Sequence, residues 1–332
     1  MLVTLKDIAK KTGFSVNTVS RALRGMEDIS APTRELIGKV AKEMGYISNA
    51  TAASLRSGFS KVIAVIVSDI SNLFFATMMK QIEDAAAQLG YTALLLNTNE
   101  DEQQELRAIQ VALSQNVDGI ILSAAQKSDA NLDYLKKTGV PFVLIGRRND
   151  DPDISSVVCD DELGGYLAAK HLIENGHKNV LMLHGPLYIS SAKDRLNGYR
   201  RAFAEANLPV SESLIREIPV TGADEKTLAR LLAPSAAYTA VIAFSDTLGW
   251  EIWSALAKQG VRVPQDCSIV GFDHVAASLT LPFQLTSVET PIQRLSVTSV
   301  QLLLSLVRHE RLEPAQVVFP PKLAEGQTVQ AI

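Results

Sequence analysis

Val16, Asn17, Ser20 and Arg21 bring a small apolar group, a carboxamide, a hydroxyl and a guanidinium together within six residues. Amides and guanidinium forks pair with base edges at two points, while hydroxyls and the free N–H groups of helix starts hold phosphates. For that chemistry the four must share the outer side of one helix. Thr4 suits the start of a first helix, with Asp7 able to reach back to it. Leu5, Ile8 and Ala9 make that helix apolar on one face, and Gly13 supplies a turn. Ser15 then opens a second helix whose inner face is Val19, Ala22 and Leu23. The remaining side carries Val16, Asn17, Ser20 and Arg21, as in a helix-turn-helix that enters the major groove. An ordinary helical hairpin with a solvated face would read the same way.

Catalytic chemistry has no comparable pattern. GxSxG, GxxxxGK[ST] and GxGxxG do not occur, and His171, His177, His184, His274 and His309 fall in separate elements without metal-like spacing. Cys159 and Cys267 form no CxxC, so buried thiols are expected in place of a metal or redox site. The expectation is a protein that is not an enzyme and needs no cofactor.

After the hairpin, residues 30–46 predict a third helix. Ser30 is the expected cap, Pro32 sits in the first turn, and Ile37, Val40, Ala41 and Met44 form its buried stripe. Residues 50–56 are Ala-rich behind a possible Asn49 cap. So short a helix is marginal in water, and it is expected to fold only when something holds it.

The run from Thr4 to Gly58 resembles the head and hinge of the lactose-repressor/galactose-repressor (LacI/GalR) family of bacterial transcription regulators. The matching residues are Asp7-Ile8-Ala9, Gly13, Ser15, Thr18-Val19-Ser20-Arg21, Gly45-Tyr46, Asn49 and Ala53-Ser54-Leu55-Arg56. The resemblance continues to about residue 323. It implies that the second helix lies in the major groove, with Val16, Asn17 and Arg21 at base edges and Thr18 and Ser20 beside them. Thr4, Ser15 and Ser30 would reach phosphates from helix starts. Asn49, Ala52 and Leu55 would serve the minor groove, Leu55 as a wedge between base pairs.

Charge agrees with this division. Residues 1–60 hold nine Lys/Arg against five acids, net +4, while the whole chain is −4, which leaves −8 on residues 61–332. A basic head on an acidic body directs the head to a polyanion. No stretch approaches the length of a membrane span, and the start has no basic, then apolar, leader, so the expected location is cytoplasmic.

The body alternates apolar runs with amphipathic ones. Strands are expected near 62–67, 93–96, 119–122, 142–145, 180–183, 240–244 and 268–271, and helices near 74–89, 102–114, 163–175, 195–206, 227–232 and 248–259. The fold class is therefore α/β, with parallel sheets flanked by helices behind a three-helix head and hinge helix. A full set of strands is complete by about residue 160, so a second sheet is implied. The resemblance implies a periplasmic-binding-protein-like core of two lobes. Expected boundaries are head 1–47, hinge 48–60 and core 61–332, with an amino-terminal lobe near 61–160 and 291–320 and a carboxyl-terminal lobe near 161–290 and 321–332.

Ligands of open parallel sheets bind beyond the carboxyl ends of strands. Phe74, Ser123, Arg147, Ser191, Arg195, Ser245 and Asp273 follow such ends and are the candidate ligand-binding residues. Arg195 in AKDRLNGY and Asp273 in GFDH match ligand-binding residues of the family. Phe74 would pack on a flat C–H face. Alternatively, Arg195 and Asp273 are only a salt bridge between lobes, and Phe74 is only core. Arg147 beside Arg148 could favour an acidic sugar or phosphate; alternatively, an arginine here also occurs in relatives and the pair is only solvated. Where many relatives carry asparagine this chain has Ser245, and His274, Leu73 and Glu251 also depart from the common pattern.

The expected function is a repressor whose affinity for double-stranded DNA is set by a small, sugar-like effector. Two heads on a two-fold axis suit a near-palindromic operator, which implies a homodimer, and no leucine heptad follows residue 320. The rival is the solute-binding protein of a transport system, which shares the core. It is disfavoured by the head and the missing leader.

Overall fold

The computed structural model describes residues 3–47, 58–219, 224–233, 238–275, 284–311 and 313–332. Asn49, Ala52 and Leu55, and the hinge helix expected over 50–56, lie outside the described residues. The chain divides into two compact units, Met1–Ser60 and Lys61–Ile332.

In the first unit, α1 (Leu5–Thr12), α2 (Val16–Leu23) and α3 (Ala31–Glu43) bury Ile8, Ala9, Val19, Ala22, Ile37 and Ala41 in one small core. Gly13 ends α1 with φ +76°, a conformation that a side chain resists, and its N–H bonds the Ala9 carbonyl. Ser15 caps α2, its Oγ accepting from the Thr18 N–H at 3.1 Å. Ser30 behaves differently from the cap expected of it. It stands at the N-cap position of α3 and its carbonyl accepts from the Arg34 N–H at 3.0 Å. Its hydroxyl, however, pairs with Thr33 Oγ1 at 2.9 Å and makes no cap bond to the backbone.

The second unit holds two six-stranded sheets. The first orders its strands β11-β5-β4-β3-β1-β2, from β1 (Val62–Val67), β2 (Thr92–Asn97), β3 (Gly119–Leu122), β4 (Phe142–Ile145), β5 (Ser156–Cys159) and β11 (Gln316–Phe319). The helices α4 (Leu73–Gln88), α5 (Glu102–Ser114), α6 (Ala130–Thr138) and α11 (Ile292–Val307) belong to it, and α11 packs on α4 and on β3 to β5. The second sheet runs β12-β10-β9-β8-β6-β7. Its strands are β6 (Val180–His184), β7 (Ile215–Glu217), β8 (Ala240–Ile242), β9 (Ser268–Asp273), β10 (Thr286–Glu289) and β12 (Lys322–Ala324). Its helices are α7 (Asp161–Glu174), α8 (Ser190–Glu205), α9 (Glu225–Leu231) and α10 (Asp246–Lys258).

The chain passes from one sheet to the other after β5, after β10 and between β11 and β12. All strand pairs are parallel except β10 with β12, which are antiparallel, so the second sheet is mixed and not wholly parallel as expected. β12 follows β11 after only two residues, yet the two strands belong to different sheets, and β12 adds to the free edge of β10. Central strands are buried on both faces, which is why 62–67 and 119–122 read as unbroken apolar runs. Among the described residues no helix is long and apolar enough to cross a membrane.

Candidate functional site

Each sheet has one place where the strand order reverses. In the first it lies between β1 and β3, in the second between β6 and β8. At such a point the loops beyond neighbouring strands splay apart and leave a crevice. Phe74 and Ser123 follow β1 and β3, Ser191 and Arg195 follow β6, and Ser245 follows β8. With Arg147 and Asp273 they line one cavity of about 60 Å³, which gathers all seven candidate ligand residues.

Arg195 is its electrostatic centre. The helix expected over 195–206 begins at Ser190, so Arg195 stands in the second turn of α8, among the residues lining the cavity. Its Nε donates to Asp161 Oδ1 at 2.8 Å and its Nη1 to the Phe244 carbonyl at 2.6 Å. Its Nη2 lies 3.7 Å from Asp273 Oδ1, too long for a hydrogen bond. The guanidinium lies over Phe272, 3.4 Å from the ring centroid, and is 7% exposed. A guanidinium has five N–H groups. Those two bonds leave donors free to face the cavity.

Both charged partners of Arg195 sit, as it does, on elements of the second sheet, so Arg195 and Asp273 form a pair within one lobe and not a bridge between lobes. Burial pushes Asp273 up to about 7 and Asp161 up to about 6, against the opposing pull of Arg195. Asp273 and His274 hold φ of +94° and +54°, a left-handed pair that strains side-chain-bearing residues. Asp246 braces this corner, its carboxylate accepting from the Val275 N–H at 2.9 Å and from Ser287 Oγ at 2.6 Å.

Arg195 reaches Asp161 because α7 and α8 cross almost in backbone contact. A Cβ at Gly165 would lie 2.0 Å from the Arg195 carbonyl oxygen, and one at Gly198 would lie 1.9 Å from that of Glu162. The glycines are therefore required by the crossing, and the crossing sets the arginine.

Arg147 does not carry the free positive charge expected of it. Its Nη1 and Nη2 meet the two oxygens of Glu100 at 2.8 and 2.5 Å, a buried two-point pair, and Nη1 also bonds the Ala124 carbonyl at 2.7 Å. Arg148 is likewise held by Asp150 and Asp194. The pair therefore offers no anion-binding excess. Phe74 is half-buried at the cavity wall, edge-on to the buried Phe75 with ring centroids 5.2 Å apart. Asp161 and Glu100 escaped sequence reasoning although each stands two or three residues past a strand. β5, before Asp161, is not among the expected strands, and only the fold pairs each acid with an arginine.

On the head, Val16 and Asn17 are exposed at the start of α2, and Ser20 and Arg21 are partly exposed on the same helix. Thr4 and Ser15 are exposed at the starts of α1 and α2, but their hydroxyls are engaged by Asp7 and Thr18. The Asp7 carboxyl is held below its usual range by its bonds from the Thr4 hydroxyl and backbone. Arg21 is turned onto Asp28, and its Nε is buried without a hydrogen-bond partner among the described residues. Both cysteines are buried with thiols pushed up by burial, Cys267 to about 12, and among the described residues no His/Cys/Asp/Glu group could hold a metal.

The family model described as "Bacterial regulatory proteins, lacI family" matches residues 4–49, and "Periplasmic binding proteins and sugar binding domain of LacI family" matches residues 60–326. The HTH-type transcriptional regulator DegA of Bacillus subtilis (strain 168) is 34% identical, covering 97% of each chain. Catabolite control protein A of Priestia megaterium is 32% identical over 99% of this chain and 100% of its own. Among solved structures, the lac repressor dimer bound to operator and the anti-inducer ONPF superposes with a TM-score of 0.86 at 26% identity, covering 100% of each chain. The CelR–cellobiose complex does so with a TM-score of 0.73 at 27% identity, covering 98% of this chain and 99% of its own. The chain belongs to the LacI family of bacterial regulatory proteins, DNA-binding transcription regulators, not enzymes, that carry a domain of the periplasmic and sugar-binding type.

Proposed function

We propose that the protein is a repressor that binds a near-palindromic operator as a homodimer, and that a small hydroxylated, sugar-like effector in the core cleft sets its operator affinity. The observation that carries the reading is Arg195, buried between Asp161 and Asp273 with N–H groups left over at a cavity. A guanidinium donates and a carboxylate accepts, so together they hold the hydroxyls of one ring, while Phe74 covers its C–H face. Two solved relatives support the same use of the fold, one a dimer on operator with an anti-inducer, the other in complex with cellobiose.

On the head, Asn17 and Val16 face base edges, and Thr4, Ser15 and Ser30 lie by the phosphates. Arg21 has to exchange Asp28 for DNA, which makes its contact conditional on that release. Asp273→Ala and Arg195→Ala should each abolish effector binding, since a buried charge that loses its partner costs about 2–5 kcal/mol. Both should keep operator affinity within about two-fold, because head and core are separate units. Calorimetry with the effector and fluorescence anisotropy with operator read the two arms. Normal effector binding in both variants overturns the cleft assignment.

A further inference from the structure

We propose that the cleft has a second compartment, built to receive the second, uncharged ring of a disaccharide-scale effector. The inference rests on the cleft being the effector site and extends that reading. Beside the cavity of Arg195 and Asp273 opens a larger one of about 140 Å³. Asn72, Phe75, Phe244 and Ser245 line both, so the two cavities adjoin along one partition.

On the opposite side of the Arg195 cavity, hydrogen bonds join the two lobes. Gln126 Oε1 accepts from the Ser190 N–H at 2.9 Å, and the Arg148 N–H donates to Ser190 Oγ at 3.0 Å. The Arg148 guanidinium meets both Asp194 oxygens at 3.1 Å. Gln126 and Arg148 follow β3 and β4 of the first sheet, while Ser190 and Asp194 open α8 beside the second, so these bonds tie the two lobes together. In the order β4-β3-β1-β2, the tie springs from β3 and β4, whereas the larger cavity lies beyond β1 and β2, where Asp69 and Glu100 stand. A ring seated on Arg195 therefore has, away from this tie, the adjoining cavity to continue into.

The lining there suits hydroxyls and C–H faces. Phe75, Phe244 and Pro219 give flat apolar surface. One Asp69 oxygen takes the Ser71 N–H and hydroxyl at 2.9 and 2.7 Å, which holds that carboxylate in place as an acceptor. Glu251 stands at the rim without an ion-pair partner among the described residues, its carboxyl pushed up by desolvation. Since Arg147 and Arg195 are each already faced by a buried carboxylate, Asp69 and Glu251 are acids in excess. An anionic ring would be placed among carboxylates in a poorly solvated cleft, which disfavours it.

The test uses the full-length protein in thermal-shift and calorimetric titrations. The probes are cellobiose, maltose and sucrose, the monosaccharides glucose and galactose, and the anions gluconate and glucose 6-phosphate. A neutral disaccharide should bind about ten-fold tighter than its component monosaccharide, and the anions should not bind. Thr247→Trp, at an exposed position on the wall of the larger cavity, should reduce disaccharide affinity by about ten-fold and leave monosaccharide binding unchanged. Glu251→Gln should admit gluconate. A monosaccharide that binds as tightly as any disaccharide, or a Thr247→Trp variant with parental disaccharide affinity, overturns the second compartment. If Asp273→Ala abolishes binding in that same experiment, the cleft reading survives the loss. No response to the whole panel, or binding that persists in Asp273→Ala, removes both.

Discussion

A carboxylate as buried as Asp273 is costly to ionise, and the protein holds it beside Arg195 at 3.7 Å in preference to a close bond. Oδ1 accepts from the Thr290 hydroxyl at 3.5 Å, the spacing leaves acceptor capacity for a ligand, and burial leaves the acid poised near neutrality. The consequence for stability has a definite sign. Burial raises Asp273 from the usual 3.8 to about 7, so the folded chain holds a proton that the unfolded chain has already released between about pH 4 and 7. Stability from this group is therefore present at low pH and declines as pH rises through that window. Asp273→Asn lacks the decline, and Arg195 keeps Asp161 as a partner at 2.8 Å. Thermal melts of the ligand-free protein should show the variant gaining on the parent from pH 5 to pH 8. Parallel curves would mean that Asp273 is ionised throughout.

At the scale of elements, the site depends on a helix crossing more than on any one side chain. Gly198 and Gly165 let α8 and α7 approach until Arg195 can bond Asp161. Gly198→Ala forces the helices apart and should cost about 1–3 kcal/mol, as overpacking does. Because the shift moves Arg195, effector affinity should fall with stability, and denaturant melts beside calorimetry read both. A destabilised variant with parental effector affinity would show that Arg195 is positioned by something other than the crossing.

The elements differ in how far they can be read from residues. The strands at 62–67, 119–122 and 142–145 are apolar runs bounded by turns, and the structure has them with those limits. β5, β7, β10, β11 and β12 are not among the expected strands. Unlike the equally short 119–122 and 142–145, they mix polar residues such as Ser156, Arg216, Thr286, Gln316 and Lys322 into the strand. β10, β11 and β12 also take partners from distant segments. α11, with β-branched residues scattered through 292–307, has no cap bond to mark its start. Residues directly after strands could be nominated for the cavity from the parallel-sheet rule alone. Glu100 and Asp161 could not, since their significance is the arginine each meets in the fold. The reading of Arg147 and Arg148 as spare positive charge failed for that same reason.

On the scale of the molecule, a basic head and an acidic core are two compact units of one chain, and the family joins them in transcription regulation. The core's lobes are already tied by Gln126, Arg148, Ser190 and Asp194 at one side of the cleft, so an effector has a two-part body to act on. Coupling of this kind is reciprocal in binding free energy and commonly amounts to about 5–150-fold in affinity. The most direct test measures operator affinity by fluorescence anisotropy at fixed salt, with and without saturating effector, for the parent and Asp273→Ala. The account predicts a shift within that range for the parent and none for the variant, with equal affinities in the absence of effector. An effector that demonstrably fills the cleft and leaves parental operator affinity unchanged would contradict it.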